Sequence, residues 1–165
     1  MDLGVCRFFR PDSGGTRVDL DSRLSVALWP HGATVLIVDE DPSVRAMARR
    51  ALVPRGFQVR EASDGASALR ILQQHPREIW LVLTELIMTG MSGGELAARV
   101  LAAPSRPLVL LMSSSSRAEL DGLAPLDAQL PYLRKPFGPE QLASRVQELL
   151  AGVPPARPWS RRRSH

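Results

Sequence analysis

The chain has 165 residues, 44% hydrophobic and 23% charged, enough for one domain of ordinary size with a real core. Its net charge of +4 sits entirely in the last thirteen residues, which hold Arg157, Arg161, Arg162 and Arg163 and no acid, while 1–32 and 33–152 each balance to zero. A neutral body argues against nucleic-acid binding, which rests on neutralising phosphates.

The single cysteine, Cys6, excludes an internal disulfide and fits a reducing, cytoplasmic setting. No apolar run approaches the roughly 18 residues of a membrane span. The start, with Asp2 and Arg7, makes a poor signal peptide. Residues 1–32 show no sustained period and carry a Trp29-Pro30-His31-Gly32 break, so they read as a poorly structured extension. From Thr34 the pattern changes. TVLIV (34–38) is a β-branched strand, and Asp41-Pro42-Ser43 opens a helix that runs to Pro54-Arg55-Gly56. Phe57 to Ala62 alternates like a strand with one polar face. Asp64-Gly65 leads into a helix with Ala66, Leu69, Ile71 and Leu72 inside. IWLVLT (79–84) is the third strand, followed by a helix over 94–102. LVLLM (108–112) is the fourth strand, and it meets four serines. A weak helix at 117–124, a short strand from Leu130 to Leu133 and a final helix opened by Pro139 complete the series. Residues 152–165 read as a disordered basic tail.

Continuous apolar strands alternating with amphipathic helices predict an α/β fold: a five-stranded parallel sheet, doubly wound, covered on both faces. Functional groups then gather at the carboxyl ends of the strands. Those ends deliver Asp39, Glu40 and Asp41, then Thr84 and Glu85, then Ser113 and Ser114, then Tyr132 and Lys135-Pro136-Phe137. Carboxylates that hold Mg²⁺, a carboxylate able to attack phosphorus, a hydroxyl and an ammonium together suit phosphoryl chemistry. Lys135 is the only lysine, against twenty arginines. A compact ammonium does a different job from a planar guanidinium, which makes its position after strand five informative.

Five segments in order, VLIVDEDPSVR (35–45), EASDGASAL (61–69), LVLTELIMTGMSGGEL (81–96), LLMSSS (110–115) and YLRKPF (132–137), resemble the receiver domain of two-component response regulators, over roughly 33–151. The look is that of the terminal receivers of hybrid histidine kinases. The resemblance implies a flavodoxin-like (βα)₅ fold and a phosphoacceptor-equivalent position at Glu85. It implies a Mg²⁺ site from Asp39, Glu40 and the Ile87 backbone carbonyl, here a weak one. Ser113 and Tyr132 take the switch positions, Lys135 the phosphate-sensing lysine, and the peptide before Pro136 is expected to be cis.

Three positions depart from the family pattern: Glu85 stands for aspartate, Thr89 for the usual proline, and Trp80 where an acid is common. The glutamate arm is longer by one C–C bond, about 1.5 Å. A misplacement of ~1 Å costs on the order of a hundredfold in a reaction that depends on in-line positioning. Two readings of Glu85 stand open. It is a built-in, partial imitation of phosphorylation, carrying about one charge against nearly two for a phosphate, or it has drifted without consequence.

The expected function is phosphorelay signalling without catalysis, through contact with a histidine kinase or another two-component protein. Neither nucleic acid nor membrane is an expected partner. The weak helix, strand five and the final helix, with Leu142, Val146 and Leu149, offer a face for homodimerisation. A haloacid dehalogenase-like Mg²⁺-dependent phosphatase is the enzymatic rival, but the acidic pair it needs after Lys135 is missing. A dinucleotide enzyme lacks its glycine-rich turn. His31, His75, His165 and Cys6 show no metal-ligand spacing and are expected to be inert.

Overall fold

Thr34–Val38 (β1) is buried along its whole length, as a central parallel strand covered on both faces requires. The computed structural model describes residues 32–115 and 130–152; the expected N-terminal extension up to residue 31, the helix at 117–124 and the tail from 153 lie outside the described residues. The remaining strands are β2 (Gln58–Ala62), β3 (Ile79–Glu85), β4 (Leu108–Ser113) and β5 (Tyr132–Arg134). Helices α1 (Pro42–Leu52), α2 (Gly65–Gln74), α3 (Gly93–Ala102) and α4 (Pro139–Ala151) alternate with them.

All neighbouring strands pair in parallel, in the order β2-β1-β3-β4-β5. The chain therefore steps one way from β1 and returns to build in the other direction. That reversal leaves a crevice between the carboxyl ends of β1 and β3. β2 lies at the edge and carries Arg60 and Glu61, charges that discourage a further strand.

Period-two alternation divides the sheet's side chains into two cores. Val35, Ile37, Leu81, Leu83, Leu110 and Met112 face α1 and α4. Leu36, Val38, Val82, Val109 and Leu111 face α2 and α3. Trp80, at the departure noted in the sequence, packs partly buried against the first core. Leu142 and Val146 of α4 are wholly buried and cover the sheet, while Leu149 is partly buried.

Local signals account for the helix starts. Asp41 caps α1, its carboxylate accepting from Ser43 N–H at 2.7 Å, with Pro42 at the first helical position. That bond comes first in holding the Asp41 carboxyl below the usual carboxylate range. Helix α3 starts at Gly93, one residue ahead of the expected 94. Ser92 and Glu95 form a reciprocal capping box, with Ser92 Oγ accepting from Glu95 N–H and Glu95 Oε2 from Ser92 N–H. β5 begins later than expected, after Pro131, which has no N–H to place in a ladder.

Candidate functional site

The carboxyl ends of the central strands open into one cleft lined by Asp39, Glu40, Glu85, Ile87 and Ser113. Chain reversal beside β1 supplies the space, and the loops after β1 and β3 supply the acids. Lys135 reaches in from beyond β5. The peptide joining it to Pro136 is cis, and the Lys135 backbone N–H donates to the Ser113 carbonyl at 2.8 Å, which ties this turn to the end of β4.

The Lys135 ammonium bridges two carboxylates. It lies 2.8 Å from Asp39 Oδ2 and forms a close ion pair with Glu85 Oε2. The surroundings are largely closed to water, with side-chain exposures of 4% for Asp39, 13% for Glu85 and 19% for Lys135. Burial pulls the Lys135 pKa down, but hydrogen bonds and charge from Asp39 and Glu85 outweigh it and leave it raised above the ordinary lysine value.

A raised folded-state pKa means that the contribution is fully present below the unfolded value of about 10.4 and is lost as pH climbs through the folded one. The stability difference between the natural chain and Lys135→Met is therefore expected to stay level from pH 6 to 9, as far as this lysine sets it. It should narrow only above about pH 10.5. Chemical denaturation across that range checks it; a difference that shrinks between pH 7 and 9 would contradict the pairing.

The other oxygens are also engaged. Glu85 Oε1 accepts from Leu86 N–H at 3.0 Å and more weakly from Ile87 N–H at 3.4 Å, so the longer arm folds back over its own loop. Asp39 Oδ1 accepts from Asp41 N–H at 2.9 Å. Glu40 points across the cleft mouth, with Oε1 accepting from Thr89 N–H at 2.7 Å. Arg45, which sequence reasoning passed over, donates to the Asp39 and Glu40 carbonyls at 2.7 and 3.1 Å and so fixes the acidic turn. Its position one turn into a helix that follows an acidic cluster was the available signal.

Ser113 and Tyr132 are placed differently from Lys135. Ser113 is buried, and its hydroxyl accepts from Ser115 N–H at 3.2 Å within its own loop. The half-buried Tyr132 ring turns its hydroxyl onto the carbonyls of Ser113, at 3.1 Å, and Ser115, in a short contact. Thr84, read from the sequence as a rim residue, is fully buried and donates to the Glu85 carbonyl at 2.9 Å. The Ile87 side chain is 59% exposed at the cleft edge. His75 lies away from the cleft, its Nδ1 3.1 Å from Glu78 Oε2 and 3.2 Å from Arg60.

Mg²⁺ needs near-ideal octahedral oxygen donors. Here both oxygens of Asp39 and of Glu85, and one oxygen of Glu40, are directed to Lys135 or to backbone N–H groups. Among the described residues no group of three His, Cys, Asp or Glu side chains is arranged to hold an ion. In this arrangement the donor set does not fit the metal that the resemblance implies.

Comparison with known proteins bears on what such a cleft belongs to. A family model described as "Response regulator receiver domain" matches residues 35–147. The chain is 36% identical over 121 residues to "Sensor kinase CckA" of Brucella abortus (strain 2308), covering 72% of this chain and 12% of that protein. Among solved structures, a putative response regulator from Chloroflexus aurantiacus J-10-fl superposes with TM-score 0.63 at 30% identity, covering 73% of this chain and 98% of that one. The receiver domain from the hybrid histidine kinase CckA superposes with TM-score 0.60 at 29% identity, covering 71% and 98%. The chain spans between 12% and 51% of the length of the curated relatives it matches.

Proposed function

This chain belongs to the response regulator receiver domain family, and we propose that it signals by protein contact in a phosphorelay, with Glu85 standing in for a phosphorylated acceptor. Receivers are signalling modules that engage histidine kinases and related proteins and bind Mg²⁺ at the acceptor site. The proposed setting is the cytoplasm, and among the described residues no helix is long and apolar enough to cross a membrane. The proposed roles are Glu85 as fixed charge, Lys135 as its reader, and Ser113 with Tyr132 as the switch behind it.

One observation supports this reading above the others: the Glu85–Lys135 ion pair. A receiver's lysine is useful because it meets negative charge at the acceptor. Here a carboxylate supplies that charge permanently, at about one unit against nearly two for a phosphate. The imitation is therefore partial. The Ser113 hydroxyl, turned to Ser115 N–H, favours the drift reading and is the reason the test must separate the two.

After treatment with acetyl phosphate, the natural chain is expected to give no retarded band in Phos-tag electrophoresis. A band labile to hydroxylamine would show a working acceptor and overturn the proposal. The same proteins should be captured from an extract far more weakly by Glu85→Gln than by the natural chain at equal folded concentration. An unchanged captured set would leave drift as the account.

A further inference from the structure

One of the three departures from the family pattern, Thr89, makes a hydrogen bond across the cleft mouth from the loop that follows Glu85. Thr89 N–H donates at 2.7 Å to Glu40 Oε1, joining the loop after β1 to the loop after β3 across 49 residues of sequence. The bond needs both partners as they stand. A proline at 89 has no N–H to give. An aspartate at 40 is a methylene shorter, about 1.5 Å less reach across the cleft mouth.

We infer that Thr89 is a positioning residue: its backbone N–H latches one Glu40 oxygen at the cleft mouth and so keeps the cleft a poor site for divalent cations. The inference goes beyond the reading of Glu85, since it concerns the cation and requires no partner protein. It also accounts for the misfit of the donor set. Asp39 and Glu85 share the Lys135 ammonium, Asp41 caps α1, and Glu40 lines the cleft at its exposed mouth. Its Oε1 is taken by the Thr89 N–H, so a cation drawing on Glu40 meets a carboxylate already half engaged and held to the opposite loop. A carboxylate accepting from N–H is a charge-assisted bond, stronger than a neutral one.

Both residues are exposed, so water competes with the latch and limits its strength. The expected consequence is therefore several-fold in affinity, not orders of magnitude. A drifted threonine making an incidental contact predicts a different pattern. In that case position 89 would be indifferent to the loss of its N–H.

Isothermal titration with MgCl₂ on the full chain tests the point. Thr89→Pro, which removes the N–H, is expected to bind Mg²⁺ about fivefold more tightly than the natural chain, the scale of one exposed hydrogen bond. Thr89→Ala, which keeps the N–H, should match the natural chain. The gain should vanish when Glu40→Ala is added to Thr89→Pro. Equal affinity in the alanine and proline variants overturns the latch, and so does a gain that survives Glu40→Ala. Should Thr89→Pro fail to fold, exchange of the Thr89 amide decides instead. Glu40→Ala is expected to speed it about fivefold, on the same hydrogen-bond scale, and an unchanged rate would overturn the proposal. Neither measurement involves partner capture, so failure of the Glu85 reading leaves both interpretable.

Discussion

Lys135→Met is expected to cost the folded state about 2–3 kcal/mol, at the lower edge of what breaking a buried ion pair costs because Lys135 and Glu85 keep some contact with water. The variant strands two carboxylates. Asp39 and Glu85 both reach for the one ammonium, and Asp39 is 3% exposed, so little solvent can replace it. The penalty is mainly that of leaving charge unpaired in a poorly solvated place, not the net worth of the bridge. The double variant Lys135→Met/Glu85→Gln should therefore recover a substantial part of the loss, since it removes one stranded charge. Urea denaturation of the four members of the cycle measures this. Losses that simply add would mean that Glu85 and Lys135 do not interact in solution. That result would also remove the main support for Glu85 as a fixed charge read by the lysine.

Gly93→Ala is the second large effect expected, about 3 kcal/mol or more, at the upper end of overpacking penalties. A Cβ at Gly93 would lie 2.0 Å from the Glu85 carbonyl oxygen, 2.8 Å from Leu86 Cα and 2.9 Å from Glu85 C. All three are backbone atoms, so no rotamer change relieves the clash. The start of α3 has to move away from the end of β3, and the Gly93 N–H to Leu86 carbonyl bond at 2.8 Å goes with it. Gly65→Ala is the control: its Cβ would come nearest to Met91 Sδ at 2.8 Å and Cβ and Cγ at 3.0 Å, side-chain atoms of which Sδ and Cγ can move, so the change should cost less. Thermal melts of the two variants make the comparison. If Gly93→Ala were the milder of the two, the close approach of α3 to the acceptor strand would be wrong.

The elements were readable wherever a residue's neighbours along the chain determine its environment. TVLIV announces a central strand because a strand covered on both faces has no polar position to show. Asp41-Pro42-Ser43 announces a helix because capping and N1 chemistry are local. Two boundaries also follow from local chemistry: the Ser92 to Glu95 box starts α3 at Gly93, and Pro131 delays β5 to Tyr132. Thr84 was misplaced. Successive strand residues point to opposite faces, so Thr84 and Glu85 cannot both present their side chains to the same rim.

The site divides along the same line. The family motifs put Asp39, Glu40, Glu85 and Lys135 at the right strand ends, and the scarcity of lysine singled out Lys135. The sequence by itself thus determined the sheet, its two cores and which charged groups meet at its carboxyl edge. Only the tertiary structure decided how those groups pair. It joined Lys135 to both Asp39 and Glu85, turned Ser113 to its own loop, sent Glu40 to Thr89, and pressed Gly93 against the Glu85 carbonyl. The physical reason is range. Strand and helix patterns follow from periodicity over a few residues, whereas these contacts depend on side-chain torsions and ångström-scale approaches between loops that only the packed sheet brings together.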